Sequence, residues 1–344
     1  MSKLTTRRKL IAGSAAIAAS SFLSTITRAA DEPLLLRCSL DTAPSHGRNL
    51  AFQDFLAKLE AQSNGRIKTK LYESGQLFPD LQVGKAMLQN QVEMACPGSW
   101  AITGIVPDAD VFQLPAFYGR TSDEIHKVMD FEAGAFVGRK VEEKLHARVI
   151  GPWIDLGYEN WYSTKTPLDT LESVKGLKVR NSGGAGQAWR ARFLGAIPNT
   201  TAWPQVPLAL SQGVFDALVS TNESLATVQL WDAGIKYAYE DHQFFAMYIP
   251  IVNVTFWKKL TPELQNLMTK LWADNIPAYR KRMEDGQLKA RGILESHQVK
   301  FTDPSKAQIL ADRKKMIPET EPLAKELKLS PELVKLITAG LPSA

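Results

Sequence analysis

The stretch of residues 176–223 constrains the fold more than any other part of the chain. It opens with an alternating apolar run at residues 177–180, which predicts a β-strand. Residues 181–186 contain three glycines and predict a tight connection, and a helical pattern follows. A strand that passes through a glycine-rich loop into a helix is typical of an open α/β sheet. In such sheets ligands bind beyond the carboxyl ends of the strands.

Arg180 is predicted to lie at the carboxyl end of this strand, just before the N-terminus of the helix. A helix N-terminus offers free N–H groups and a partial positive charge, and a guanidinium adds a planar fork of donors. The combination suits the two oxygens of a carboxylate or a phosphate. The alternative for Arg180 is a solvated side chain or a surface ion pair. Ser182, in the same loop, is a further candidate for contact with a ligand.

Three motifs in this stretch resemble the signature of the DctP-like solute-binding proteins of TRAP (tripartite ATP-independent periplasmic) transporters. They are Gly-Leu-Lys-Val-Arg at residues 176–180, Gly-Ala-Ile-Pro at residues 195–198, and the run at residues 206–216. The resemblance implies an α/β fold of the two-lobed periplasmic-binding-protein type, with crossover strands and a long helix that spans both lobes. It also implies that Arg180 binds the carboxylate of an organic acid in the cleft between the lobes.

The sequence departs from the family pattern where many members carry a second arginine. Glu159 or Asn160 stands there, which argues against the two-arginine modes used for sialic-acid-like and dicarboxylate solutes. A glutamate near a solute suggests a bound hydroxyl or amine, and the alternative is a salt bridge that holds the strand. Some relatives that bind 2-oxo acids carry a metal-binding glutamate where Val219 stands here. We therefore expect no metal and no other cofactor.

The same half of the chain supplies three more candidates for contact with a solute. Trp203 stands where relatives carry an aromatic residue that stacks over the solute. Ser220 and Asn222 end a short apolar run, so they either face the cleft or are ordinary turn residues.

Three loops in the first half of the chain follow predicted strand ends, at residues 41–47, 74–79 and 97–100. By the strand-end rule they are predicted to rim the cleft. His46 and Trp100 are the residues in these loops most suited to touch a solute. The alternatives are a solvated loop histidine and a tryptophan that fills the core.

The first residues predict export across the cytoplasmic membrane. Arg7 and Arg8 precede an apolar stretch at residues 10–26, which looks like a twin-arginine signal, and residues 1–29 are assigned to the signal peptide. The alternative is an uncleaved anchor helix. The segment holds five basic residues and no acidic ones, so the rest of the chain carries 36 basic and 36 acidic residues. Nucleic-acid binding would need a clustered basic excess, and we expect no such partner.

The mature chain is longer than one hydrophobic core usually supports, and strands alternate with helices from residue 34 onward. We therefore expect two lobes with mostly parallel sheets. We assign residues 33–156 and 247–284 to lobe I and residues 157–246 and 285–344 to lobe II.

Further elements follow from local patterns. Strands are predicted at residues 147–155 and 160–163, and an apolar run at residues 244–254 is predicted to cross between the lobes. Thr261 is predicted to cap a helix that runs to about residue 298, with a kink at Pro277. Two helical segments, one from about residue 306 and one at residues 331–339, close the chain.

Cys38 and Cys96 each lie in a strand-like run. They either form a disulfide, if those strands are neighbours, or remain buried thiols. Neither belongs to a C-x-x-C motif.

Enzyme functions receive little support from the sequence. No G-x-S-x-G, S-x-x-K or H-E-x-x-H motif occurs. Residues 184–189 imitate a dinucleotide-binding loop, but Trp189 replaces its third glycine, and no acidic residue stands near position 204 to bind a ribose.

The sequence thus predicts a monomeric periplasmic protein that captures a small-molecule carboxylate and delivers it to the large and small membrane subunits of a TRAP transporter. The missing second arginine and the aromatic residues favour a monocarboxylate with a compact apolar or aromatic body. The alternatives are a periplasmic ligand-sensing protein that serves a receptor and, with less support, a periplasmic nicotinamide-dependent enzyme.

Overall fold

The computed structural model describes residues 32–341, and the predicted signal segment at residues 1–29 lies outside them. The strands are β1 (Leu34–Ser39), β2 (Ile67–Tyr72), β3 (Met94–Ala95), β4 (Ala147–Val149), β5 (Ile154–Ser163), β6 (Lys178–Asn181), β7 (Ile197–Thr200), β8 (Ala217–Ser220), β9 (Tyr237–Tyr248), β10 (Ile251–Asn253) and β11 (Lys300–Thr302). The α-helices are α1 (Gly47–Gln62), α2 (Asp80–Leu88), α3 (Ser122–Met129), α4 (Glu132–Leu145), α5 (Ala185–Phe193), α6 (Val206–Ser211), α7 (Asn222–Thr227), α8 (Val254–Trp257), α9 (Pro262–Ser296), α10 (Lys306–Met316), α11 (Thr320–Glu326) and α12 (Pro331–Gly340).

Two mixed sheets form the centres of the two lobes. The first has five strands in the order β2-β1-β3-β10-β4, and the second has six in the order β11-β9-β5-β8-β6-β7. In the first sheet β1 runs parallel to β2 and β3, whereas β10 runs antiparallel to its neighbours. In the second, β6 runs parallel to β7 and β8. The predicted α/β, two-lobed fold is therefore confirmed.

The chain crosses between the sheets three times, twice through short segments at adjacent places and once through α9, which lies between β10 of the first sheet and β11 of the second. Strand β4 belongs to the first sheet and β5 to the second, and residues 150–153 join them. The return runs from β9 through residues 249–250 to β10. Strands β5 and β9 pair antiparallel, from Ile154 opposite Tyr248 to Ser163 opposite Tyr237. The two short crossings therefore lie side by side, as expected for the hinge between two lobes.

These crossings correct three of the predicted strands. The predicted strand at residues 147–155 is two strands in different sheets, because Pro152 lacks the N–H that a continuous ladder needs. The predicted strand at 160–163 is the end of β5. The crossing strand predicted at 244–254 begins earlier and is divided by Pro250 into β9 and β10.

The long helix predicted from Thr261 is α9, which spans 35 residues and about 50 Å at 1.5 Å per residue. The Thr261 side chain caps it by accepting a hydrogen bond from the Leu264 N–H, and Pro277 lies inside it. One part of α9 packs on α1, which covers the first sheet, and another on β5 and α7 of the second. It therefore spans both lobes.

The predicted lobe boundaries stay a prediction. Helix α12, which that prediction places in lobe II, packs on α3 and α4. Cys38 and Cys96 are both buried free thiols, on β1 and directly after β3.

Candidate functional site

A narrow cavity, partly open to solvent, lies where the strand ends of the two sheets face each other. Its walls combine loops after β1 and β3, the loop after β6, the end of β8, and the crossing strands β5 and β9. The lining residues are Asp41, Thr42, Asp80, Leu81, Trp100, Leu156, Glu159, Arg180, Ser182, Trp203, Ser220, Ser224 and Tyr248. Both lobes therefore contribute side chains to one pocket.

Arg180 lies at the cavity wall and is 1% exposed. Its Nε and Nη2 donate to the carbonyl oxygen of Thr201 at 3.0 and 2.8 Å, and Nη1 donates to Ser182 Oγ at 2.9 Å. Nη1 also lies 3.4 Å from the carbonyl oxygen of Val219. A guanidinium has five N–H groups, so one N–H of Nη2 has no acceptor among the residues that the structure describes. Burial lowers the pKa of Arg180 to about 10, and nearby Glu159 opposes that shift.

The helix N-terminus beside Arg180 differs from the sequence expectation. Asp110 Oδ2 accepts a hydrogen bond from the N–H of Gly186 at 2.9 Å, so a carboxylate of the protein already covers the first turn of α5. Gly184 has φ of 78°, and a side chain there would meet Asp110 at 2.7 Å. The glycine-rich loop therefore lets Asp110 approach the helix, and the anion-binding capacity of this terminus is used inside the protein.

Glu159 lies on β5 and is 1% exposed. The ladder between β5 and β9 shifts register between Asp155 and Gly157, which is a β-bulge. Side chains alternate between the faces of a regular strand, and a bulge inserts one residue. Both Leu156 and Glu159 can therefore line the cavity. Burial raises the pKa of the Glu159 carboxyl to about 7, although Arg180 opposes the shift.

A buried ionic network forms the wall contributed by the first lobe. Arg48, on α1, donates to Asp41 Oδ1 at 2.6 Å and to Asp80 Oδ2 at 3.0 Å. Its guanidinium carbon lies 4.0 Å from the ring centroid of Tyr248. Burial raises the pKa of Asp80 to about 7 against the influence of Arg48. These contacts hold two carboxyls and a phenol at the cavity surface in fixed positions.

Two tryptophans provide apolar wall. Trp203 lies with its ring centroid 5.4 Å from the guanidinium carbon of Arg180. Trp100 is 7% exposed and packs on Tyr248, with ring centroids 5.5 Å apart. Any side chain at Gly98 would meet the Trp100 ring at 2.3 Å. Trp100 therefore fills the core and lines the cavity at once.

Comparison with known proteins agrees with this architecture. The family model of the bacterial extracellular solute-binding proteins, family 7 (DctP), matches residues 39–326.

The chain belongs to the DctP family.

Individual relatives of the DctP family extend the comparison. The C4-dicarboxylate-binding periplasmic protein DctP of Rhodobacter capsulatus is 28% identical over 271 residues, which cover 78% of this chain and 79% of that protein. The sugar acid binding protein of Advenella mimigardefordensis, solved with galactonate, superposes with a TM-score of 0.82 at 19% identity, covering 91% of this chain and 99% of the other. A TRAP periplasmic solute-binding protein of Sulfurospirillum deleyianum, solved with succinate, gives 0.80 at 22% identity, with 89% and 98% covered.

The chain is therefore a solute-binding protein of the TRAP type, as its motifs predicted. In residues 32–341, no helix is long and apolar enough to cross a membrane. Within the same range no cluster of three or more histidine, cysteine or carboxylate side chains could bind a metal ion.

Six of the predicted site residues line the cavity: Glu159, Arg180, Ser182, Trp203, Ser220 and Trp100. The structure does not bring the other three to its wall. Asn160 accepts from the N–H of His242, and Asn222 accepts from the Tyr162 hydroxyl at 2.7 Å. His46 is fully buried and caps α1, because its Nδ1 accepts from the N–H of Arg48 at 3.2 Å. These contacts account for the burial of the three side chains without a solute.

Sequence reasoning missed a contact that joins the two lobes. Oε1 of Glu223, on α7, accepts a hydrogen bond from the N–H of Gly47, the first residue of α1, at 2.9 Å. Oε2 of Glu223 has no hydrogen-bond partner within the described part of the chain and lies 3.8 Å from His46 Nε2. The acid in the first turn of α7 was visible in the sequence, but its partner lies 176 residues away.

The sequence also did not single out seven lining residues: Asp41, Thr42, Asp80, Leu81, Leu156, Ser224 and Tyr248. The first two belong to a loop that was predicted to rim the cleft, and the signal for the others was their position next to a strand end or a helix start.

Proposed function

We propose that this DctP-family protein captures a small organic acid in the cavity between its lobes and that Arg180 binds the carboxylate. The observation that carries the proposal is the buried guanidinium at the cavity wall. It has no ion-pair partner within 4 Å in the described chain, and one N–H of Nη2 lacks an acceptor. A buried cation in this state gains from a solute anion. The relatives described above, a C4-dicarboxylate-binding protein and two proteins solved with galactonate and succinate, support the same class of ligand.

The hydrogen bonds that Arg180 already makes reduce the contribution to solute affinity that we expect from it. Nε and Nη2 already share the carbonyl of Thr201, so a solute carboxylate meets one free N–H of Nη2 rather than an open fork. Ser182 and Ser220 stand at the same wall and supply hydroxyl donors. One charge-assisted hydrogen bond is worth roughly 1.5–3 kcal/mol, a factor of about 10 to 150 in affinity.

The experiment compares two buried arginines. Carboxylates are screened by thermal shift, and the acid that raises the melting temperature most is titrated by calorimetry into the native, Arg180→Ala, Arg180→Lys and Arg190→Lys proteins. Arg190 is equally buried and also has its pKa lowered to about 10 by burial, but it does not line the cavity. We expect both Arg180 variants to lose about tenfold or more in affinity and Arg190→Lys to bind as the native protein does. Native affinity in a folded Arg180→Ala protein would refute the carboxylate assignment.

The biological role follows from the same proposal. We infer that the protein works as a monomer in the periplasm, that residues 1–29 are a twin-arginine signal peptide, and that the closed complex delivers the acid to the membrane subunits of a TRAP transporter. We infer no catalysis and no metal. Family membership and the named solute-binding relatives support this reading.

A further inference from the structure

Glu159 is a buried carboxyl without a donor. It is 1% exposed and lines the cavity. Its side chain makes no hydrogen bond to any of residues 32–341, and Oε2 is wholly shielded from solvent. The salt bridge that could have explained it from the sequence is not formed within the described chain. A buried polar group without a partner is costly, so the retained carboxyl calls for a partner from outside the protein.

The charges around the cavity limit what that partner can be. Three carboxyls line it, those of Asp41, Asp80 and Glu159. Two guanidiniums lie beside them, and Arg48 is already engaged by Asp41 and Asp80 at 2.6 and 3.0 Å. Arg180 is left for the solute. A second carboxylate on the solute would meet Glu159 or the Asp41–Asp80 pair, and like charges close together in a water-poor site repel strongly.

We propose that Glu159 accepts a hydrogen bond from an N–H or O–H group of the solute, so that the solute is a monocarboxylate with an ammonium or hydroxyl group rather than a dicarboxylate. This assignment rests on the proposed function, since it takes Arg180 as the site of the carboxylate. The solute then needs an anionic acceptor at the end that meets the Arg180 donor. At its other end it needs a hydrogen-bond donor that meets the Glu159 acceptor.

The position of Glu159 supports a role in selecting the solute. It stands on a crossing strand, beyond a register shift that places Leu156 at the same wall. Leu156, Trp100 and Trp203 give the solute apolar surface, whereas Glu159 is a polar side chain that nothing in the described protein satisfies. A solute donor would favour the ionised form of Glu159, whose pKa burial raises to about 7. Binding should therefore be coupled to the loss of a proton from this carboxyl.

The first step of the test is a panel of acids in three classes on matched skeletons of three to eight carbons. The classes are plain monocarboxylates, dicarboxylates, and monocarboxylates that carry a hydroxyl or an amino group. Affinities are measured by calorimetry with the native full-length mature protein. We expect the tightest binder to belong to the third class and to exceed its plain and dicarboxylate counterparts by at least about tenfold. A tightest binder from either of the other classes overturns the assignment.

The second step uses variants at Glu159. Glu159→Leu keeps a similar volume and removes the acceptor, so it should abolish the preference for the donor-bearing acid over its plain counterpart. Glu159→Gln keeps one acceptor and removes the charge. It should retain most of the preference when the donor is a hydroxyl and lose it when the donor is an ammonium, which separates the two chemistries. Glu143→Gln, on the exposed side of α4, is the matched control and should bind as the native protein does.

The outcomes also separate this inference from the function on which it rests. If no acid of any class raises the melting temperature, carboxylate capture fails and this assignment fails with it. If Arg180→Ala weakens the tightest acid while folded Glu159→Leu keeps the native preference among the classes, capture stands and the assignment of Glu159 is wrong. Melting curves establish folding, and Glu159→Ala, which also removes the acceptor, replaces Glu159→Leu if the leucine variant does not fold; a native preference among the classes in the folded alanine variant refutes the assignment.

Discussion

Glu223 offers a direct test of how the lobes are held together. Its Oε1 accepts from the Gly47 N–H at 2.9 Å, and these residues begin helices that belong to different lobes. The contact therefore exists only while the lobes are together. A hydrogen bond to a charged group contributes roughly 1.5–3 kcal/mol, and a carboxylate at a helix N-terminus adds about 0.3–1 kcal/mol. Because burial raises the pKa of Glu223 to about 7, a neutral fraction at pH 7 reduces these contributions.

Glu223→Ala removes this contact. Its expected effect on the apparent affinity follows from the equilibrium between the open and closed forms. If the solute binds the closed form, the loss of about 1.5–3 kcal/mol from that form weakens apparent affinity by about 10- to 150-fold. Gly47→Ala tests the same contact from the other lobe, because its new methyl would meet Met283 Sδ at 2.6 Å and Glu223 Oε1 at 3.2 Å. Glu263→Ala is the control, since Glu263 also bonds across elements, to Arg66, but is solvent-exposed.

Calorimetry with the acid selected by the screen gives affinity, and small-angle scattering gives the radius of gyration with and without that acid. We expect Glu223→Ala and Gly47→Ala to bind weakly and to need more acid to reach the compact form, while Glu263→Ala behaves as the native protein. The melting temperature of ligand-free Glu223→Ala should change little, because the carboxyl is free to be hydrated when the lobes open. Affinity within about twofold of native in both variants would refute the reasoning.

Two further predictions concern the whole chain. Burial raises the pKa of Glu159 and Asp241 to about 7 each, so the folded state holds more protons than the unfolded state between about pH 4 and 7, and the free energy of unfolding should fall as pH rises through that range. Urea unfolding from pH 5 to 8 measures this decrease in the free energy of unfolding. Asp241→Asn should make the decrease smaller by on the order of 1–4 kcal/mol. A free energy of unfolding that rises with pH would contradict the prediction. Replacement of Arg7 and Arg8 by lysine should leave precursor in the cytoplasm, as fractionation and immunoblotting would show, and undiminished periplasmic protein would count against the twin-arginine route.

Local patterns predicted the elements whose signals lie within a few residues. The strand–loop–helix around Arg180 is present as β6 and α5, and Thr261 caps α9 as expected. A residue that a local pattern places at the end of a strand lies at the cavity, because the strand ends themselves line it. For this reason Arg180, Ser182 and Ser220 are found at the cavity wall.

The features that sequence reasoning missed depend on partners far along the chain. The cover on the N-terminus of α5 comes from Asp110, 76 residues before Gly186. The Arg180 guanidinium donates to the backbone carbonyl of Thr201, and the residue type at position 201 does not reveal such a contact. Asn160 and Asn222 looked available for a solute because nothing local satisfies them, whereas His242 and Tyr162, 82 and 60 residues away, make hydrogen bonds to them. His46 differs, because its Nδ1 accepts from the N–H of Arg48, two residues on, and the sequence analysis did not consider this local role as a helix cap.

The placement of the crossing strands explains why capture and closure belong together in the proposed function. Glu159 and Leu156 lie on β5, and Tyr248 ends β9, so the hinge strands themselves form one wall of the cavity. Arg180 comes from the second sheet, and the Asp41–Asp80 pair from the first. A solute that contacts all three walls binds fully only when the lobes are together. Its binding free energy therefore favours the closed form over the open form, which is the condition for a ligand to shift that equilibrium.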